Sequence, residues 1–279
     1  MIPALAAIAL LAGPHAEPAG GVRWERNWEQ AVKKAQAAHK PLLIDFWADW
    51  CGWCRRLDRT TYLDPTVVRL AQEFVAVKVN TEGAPREVAI AARYEVGTLP
   101  TILFISPSGR PVHRLTGYQG PGQFPLTLEQ ARVSAAKVMA WEAVLERSPG
   151  DAAALLGLAS HLFDQEAYAE SRGLLDRAIH ADAQRPAPQR KQARLLLAVM
   201  LKTYDENFVG AEALLKEGLA IAPAGEMDPS LLYALGKTYL AWGRRDQARA
   251  TFQEIVASHA ESPVAQKARE TLVALDRRH

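Results

Sequence analysis

At 279 residues, with 49% apolar and 23% charged side chains, the chain has material for about two globular domains, each with its own core. A formal net charge of +2, with no lysine- or arginine-rich block, argues against a nucleic-acid or anionic-membrane surface. The only 2 cysteines, Cys51 and Cys54, form one C-x-x-C, which excludes a disulfide-stapled scaffold.

The chain opens on an apolar stretch, Met1 to Ala12, in which Ile2, Leu5, Ile8, Leu10 and Leu11 sit among alanines. Gly13-Pro14-His15-Ala16 follows, with a possible cut after Ala16. The length suits the apolar region of a signal peptide, although no Lys or Arg precedes it. Residues 1–20 are therefore read as a signal peptide and short leader, and the protein is expected in the periplasm or otherwise exported. The alternative is a cytoplasmic protein whose greasy start docks on its core. Export agrees with the economy in cysteine, because spare thiols mispair in an oxidising compartment. No apolar run reaches the ~20 residues that span a bilayer.

Apolar Trp28, Ala31, Val32 and Ala35 recur at helical spacing, and Pro41 ends that helix after His39. Leu42 to Trp47 is apolar except for Asp45 and reads as a buried central strand. A helix opens at Cys51. Asp64-Pro65 reads as an N-cap with proline in the first turn of a short helix that runs to Glu73. Phe74 to Val79 is a strand with Lys78 inside it, and Arg86 to Tyr94 is helical. Thr101 to Ile105 and Pro111 to Thr116 flank the turn Ser106-Pro107-Ser108-Gly109. Thr127 to Leu145 is a long amphipathic helix. Strands alternating with helices predict an α/β domain, with a mainly parallel sheet, helices on both faces and an antiparallel edge hairpin.

Ser148-Pro149-Gly150-Asp151 is a turn cluster, beyond which strand signals vanish and Ala and Leu dominate. Leu231, Leu232, Leu235, Gly236, Tyr239, Ala248 and Phe252 fit a helix-pair repeat, with Pro263 after them. A second unit uses Leu195, Ala198, Ala211, Leu215, Gly218 and Pro223. A third, looser one uses Leu155, Leu158, Leu162, Leu175 and Ala178. The pattern resembles tetratricopeptide repeats, with leucine at the family's tryptophan position; a plain helical bundle is the alternative. The organisation expected is 1–20 leader, 21–147 α/β domain and 148–279 all-α repeat domain.

The chemistry sits where the buried strand ends and a helix begins. Cys51 lies at a helix start, where free N–H groups and the positive dipole end favour a thiolate. Cys54, one turn further, is placed to attack the Cys51 sulfur and resolve a mixed disulfide. Rival uses of the pair fare poorly. A zinc site needs about four ligands, and His39 and His113 are isolated. Haem attachment needs His after Cys54, where Arg55 stands. No metal is expected, and no cofactor beyond the Cys51–Cys54 disulfide itself.

Trp47-Ala48-Asp49-Trp50-Cys51-Gly52-Trp53-Cys54 resembles the active-site motif of the thioredoxin superfamily. Together with Asp64-Pro65 it is most similar to the C-terminal thioredoxin-like domain of DsbD-type membrane reductant conductors. The resemblance covers about half the chain, Trp24 to Leu145, and implies the thioredoxin fold and thiol–disulfide exchange. It implies that Asp45 is the buried acid that accepts a proton from Cys54, with a structural role as the alternative. It makes Lys78 that acid's partner; a strand lysine reaching solvent is equally open. It makes Pro100, in Gly97-Thr98-Leu99-Pro100-Thr101, the cis-proline, with Thr98 and the Leu99 backbone offered to an extended substrate. Asp58 matches an acid that tunes the cysteines, although beside Arg55, Arg56 and Arg59 it reads more simply as part of a solvated charged face. Trp50, Gly52 and Trp53 border the nucleophile as substrate contacts, with packing alone as the alternative. Trp53 replaces the usual proline before the second cysteine, which leaves the direction of electron flow open.

The expectation is a thiol:disulfide oxidoreductase, a reductase or isomerase of protein disulfides. Its partners would be disulfide or dithiol proteins, an upstream donor of the DsbD type, and a peptide or protein ligand of the repeats, but no nucleic acid. The alternatives are a helical-repeat scaffold with an attached redox domain, and a thiol reductant for cytochrome c maturation.

Overall fold

The computed structural model describes residues 20–25, 27–181 and 186–277, so the expected leader lies outside it except for Gly20. The chain forms two compact units. Among the described residues, the first takes those up to Ser108 and Arg114–Arg132, and the second takes Gly109–His113 and those from Val133 onward. Residues 148–151 form the turn between two helices of the second unit.

The first unit is built around one mixed sheet. Its strands are β1 (Trp24–Glu25), β2 (Leu42–Trp47), β3 (Val75–Asn80), β4 (Thr101–Ile105) and β5 (Pro111–Thr116), in the order β1-β3-β2-β4-β5. β3 runs parallel to both β1 and β2, while β4 is antiparallel to β2. Antiparallel pairing thus starts one strand further in than the closing hairpin. Leu42, Leu43, Ile44 and Phe46 of β2 are fully buried, as the near-continuous apolar run requires of a strand covered on both faces.

Five helices accompany the sheet: α1 (Trp28–Ala38), α2 (Gly52–Arg59), α3 (Pro65–Ala71), α4 (Pro85–Arg93) and α5 (Phe124–Arg147), the last running on into the second unit. Asn27 caps α1 by accepting from the Gln30 amide at 2.8 Å. Asp64 caps α3, accepting from the Thr66 and Val67 amides at 2.9 and 3.1 Å, with Pro65 in the first turn. A 3₁₀ turn, Thr61–Leu63, joins α2 to α3.

The second unit is helical throughout its described length beyond α5. Helices α6 (Ala152–Asp164) and α7 (Tyr168–His180) pack together, as do α8 (Ala187–Thr203) with α9 (Phe208–Leu219), and α10 (Asp228–Ala241) with α11 (Arg245–Ser258). A last helix, α12 (Ala265–Asp276), lies on α11. The first helices of successive pairs also touch, α6 on α8 and α8 on α10, which is the stacking of a repeat. The predicted repeat positions Ala198, Ala211, Leu215, Leu231, Leu232, Leu235, Tyr239, Ala248 and Phe252 share one buried cluster. Gly236 is small because a Cβ there would fall 2.6 Å from the Phe252 ring. Among the described residues, no helix is long and apolar enough to cross a membrane.

Candidate active site

Register brings three loops to one end of the central strand. β2 ends at Trp47 opposite Asn80 of β3, and its neighbour Phe46 pairs with Thr101 of β4. The loop to Cys51, the turn after β3 and the Thr98–Pro100 loop before β4 therefore converge there.

The two sulfurs form a disulfide in this structure. Cys51 is the N-cap of α2, and its Sγ accepts from the Cys54 amide at 3.1 Å. The amide that favours a thiolate at a helix start is thus aimed at that sulfur. Cys51 and Cys54 are both buried, whereas Gly52 is exposed. The Leu99–Pro100 peptide is cis. Thr98 is exposed, Leu99 is half-buried and Pro100 is buried. The Thr98 carbonyl accepts from Thr101 Oγ1 at 2.7 Å, and the Pro100 carbonyl accepts from the Gly117 amide at 2.8 Å.

Asp45 and Lys78 are register partners on β2 and β3. The Lys78 ammonium donates to Asp45 Oδ2 at 2.8 Å and to Asp58 Oδ1 at 2.5 Å. Asp58 follows Cys54 by four positions on α2, so Lys78 ties the buried acid to the helix face that carries the inner sulfur. The ammonium also lies over the rings of Trp24, Tyr62 and Trp47, at 4.9, 5.3 and 6.0 Å from their centroids. The arginines beside Asp58 in sequence do not pair with it. Arg55 folds back to donate to the Asp49 carbonyl, and Arg56 lies over aromatic rings.

Asp45 has no exposed surface. Burial pushes its carboxyl above the ordinary range, and the Lys78 charge only partly offsets that. For Lys78, burial favours the neutral amine, but the Asp45 and Asp58 carboxylates outweigh it and hold the ammonium above its usual range. Asp45 Oδ1 has no hydrogen-bond partner, and neither does the Tyr62 hydroxyl. Tyr62 is near enough for its hydroxyl to favour the ionised Asp45 carboxyl, although the contact falls short of full hydrogen-bond geometry. Burial, and then the Asp45 and Asp58 charges, push the Tyr62 phenol well above its normal range.

Trp50 is 64% exposed and Trp53 is 55% exposed, on either side of Cys51. Trp50 Nε1 donates to Glu82 at 2.8 Å. Trp53 packs on Tyr118, with centroids 5.3 Å apart. Sequence reasoning missed Glu82, Tyr62 and Tyr118, because each enters the site through tertiary contact rather than through a motif. Among the described residues, no group of three or more His, Cys, Asp or Glu side chains is placed to hold a metal.

Residues 28–132 match the family model for a thioredoxin-like domain, and residues 128–195 and 204–272 match the model for a tetratricopeptide repeat. A thioredoxin-like protein of Synechocystis sp. is 38% identical over 84 residues, covering 30% of this chain and 74% of that protein. The thiol:disulfide interchange protein DsbD of Salmonella typhi is 37% identical over 93 residues, 32% of this chain. That match spans only 16% of DsbD. The oxidised DsbD C-terminal domain of Neisseria meningitidis is 26% identical, with a TM-score of 0.33, and the match covers 37% of this chain and 92% of that one. With a redox-ready cysteine pair at the start of α2 and a repeat region behind it, the chain belongs to the thioredoxin-like family.

Proposed function

We propose that this protein is a thiol:disulfide oxidoreductase that reduces disulfides in exported polypeptides, while its repeat unit holds a partner polypeptide. The Cys51–Cys54 disulfide at the start of α2, linked through Lys78 to a buried acid, carries the reading. In the reduced protein the Cys51 thiolate attacks one sulfur of a substrate disulfide. That S–S bond breaks, the other substrate sulfur leaves as a thiolate, and a mixed disulfide forms. Cys54 passes its proton to the Asp45 carboxylate and attacks the Cys51 sulfur. The second substrate sulfur departs, and two electrons have moved from the Cys51–Cys54 dithiol to the substrate.

A carboxyl whose proton affinity is raised by burial suits the base role better than an ordinary surface acid. The exposed Trp50 and Trp53 supply apolar contact area beside the outer sulfur. The Thr98–Leu99 backbone offers strand-type hydrogen bonds to an extended substrate. Reduction of the resting disulfide needs a dithiol protein as donor, and likeness to DsbD supports a membrane conductor of that type. The economy in cysteine supports work in an oxidising compartment such as the periplasm. Repeat units of this kind are general interaction modules, which supports a polypeptide ligand for the second unit.

The test is a Cys54→Ala variant of the full chain. It is expected to hold substrate as a mixed disulfide on Cys51, identified by mass spectrometry, and Cys51→Ser is expected to trap nothing. Failure of Cys54→Ala to trap, or a pair potential near about −120 mV as for the strong oxidant DsbA, would overturn the reductase reading.

A further inference from the structure

Beside the cysteines lies a guanidinium with a fixed seat and, among the described residues, no carboxylate partner. The carbon at the centre of the Arg56 guanidinium is 5.3 Å from the Trp53 ring centroid and 5.0 Å from that of Tyr118. Those two rings pack on each other, so Arg56 caps a ring pair rather than waving in solvent. Tyr118 is itself pinned, since its hydroxyl lies 3.3 Å from Thr60 Oγ1, which donates to the Arg56 carbonyl at 2.6 Å. Aromatic faces hold the plane of a guanidinium but leave its N–H edges open, and those edges match a carboxylate. Among the described residues, no carboxylate takes them. Asp58 pairs with Lys78, and Glu82 accepts from Trp50. Trp53, which carries this seat, directly precedes Cys54.

We propose that Arg56, seated on Trp53 and Tyr118, is the docking point for a carboxylate on the substrate polypeptide. The site therefore selects disulfides with an Asp or Glu close to the reacting cysteine. The proposal rests on the oxidoreductase reading and adds the partner's chemistry to it. The contact orders little, because the arginine is already in place, so a single exposed charge pair can act on encounter and binding.

The test uses the full chain, reduced and then mixed in single turnover with synthetic peptide disulfides that differ by Glu, Gln or Lys next to the cysteine. The wild-type protein is expected to react about two- to fivefold faster with the Glu peptide than with the Gln peptide at low salt. The preference is expected to shrink toward one at about 0.5 M salt. Arg56→Gln is expected to bring the ratio near one, and Arg56→Glu to favour the Lys peptide. Arg59→Gln removes the same charge from an exposed arginine of α2 with no ring beneath it, and is expected to keep the preference. Equal wild-type rates for Glu and Gln peptides overturn the docking point while leaving the oxidoreductase reading intact. Loss of preference in Arg59→Gln as complete as in Arg56→Gln overturns it too, because the effect is then a diffuse field. A wild-type chain that exchanges with none of the peptides removes the oxidoreductase reading itself.

Discussion

Both units set a lysine against a buried aspartate, and the two pairs are finished differently. In the repeat unit, Lys191 of α8 is 1% exposed and Asp228 of α10 is 6% exposed. Lys191 donates to Asp228 and, at 3.0 Å, to the Pro223 carbonyl, while the second oxygen of Asp228 accepts from the Gly225 amide at 3.1 Å. Both oxygens of that carboxylate are used. In the redox unit, Asp45 Oδ1 has no partner, and Lys78 divides itself between Asp45 and the exposed Asp58. A satisfied buried pair fixes structure, whereas a half-satisfied one holds its charge less firmly and is free to take up a proton. The first kind holds α8 to α10, and the second leaves Asp45 with an oxygen open to a proton.

The largest expected effect comes from breaking the finished pair. Lys191→Met leaves Asp228 charged in the α8–α10 contact, and a buried charge stripped of its partner costs about 3–5 kcal/mol. Chemical denaturation of the full chain is expected to show the repeat unit losing that much. The double variant Lys191→Met/Asp228→Asn removes the orphaned charge and is expected to recover part of the loss. If the single variant proves as stable as the wild type, the pair is not a structural clamp.

The unfinished pair responds in the opposite way. Asp45→Asn is expected to slow thiol–disulfide exchange about 100-fold near neutral pH, the usual weight of a positioned base. Stability near neutral pH is expected to hold or rise by about 1 kcal/mol, because a buried charge has gone while Lys78 keeps Asp58 as its partner. The sign follows from linkage. The folded protein binds the Asp45 proton more tightly than the unfolded chain does, so this group's contribution falls as pH rises past the ordinary carboxylate range. Wild type should therefore lose stability relative to Asp45→Asn on going from pH 4 to 7, and its exchange rate should rise with pH over a window that the variant lacks. A variant with a parallel stability curve and an unchanged rate profile would make Asp45 a bystander.

Much of this contrast was legible in the sequence, and the limits are instructive. The unbroken apolar run of β2 with one acid inside it marks Asp45 as buried. Asp64-Pro65 fixes the start of α3, and the spacing of Leu231, Leu235, Ala248 and Phe252 gives the α10–α11 pair. β1 escaped because two residues carry no period. The partner of Asp58 escaped because sequence neighbours suggest Arg55, Arg56 or Arg59, whereas the pairing is made by Lys78, 20 positions away, through the β2–β3 register. Likewise, nothing in the sequence announces that Tyr118 lies under Arg56 or that Lys191 reaches Asp228, since both contacts depend on tertiary packing. Motifs and periodicity report local geometry, and the charges that matter here are placed by contacts between elements.

The smallest expected effect sharpens the same comparison from the other side of the unfinished pair. Tyr62 is 2% exposed, its ring packed edge-on to Trp24 at 4.9 Å and to Phe124 at 5.9 Å between centroids. The ring therefore belongs to the core, while its hydroxyl has no hydrogen-bond partner. Tyr62→Phe keeps the ring contacts and deletes only the unpartnered group. Leaving a buried hydroxyl unbonded costs about 1 kcal/mol or more, so the variant is expected to match or slightly exceed the wild type in denaturant midpoint. The pH profile of exchange gives a second, independent readout. A hydroxyl that bonded Asp45 in solution would stabilise its ionised form, so its removal would shift the rise of the rate to higher pH and cost stability. An unchanged profile with equal or greater stability is the expected result. It would leave Lys78 as the principal group offsetting the burial of Asp45.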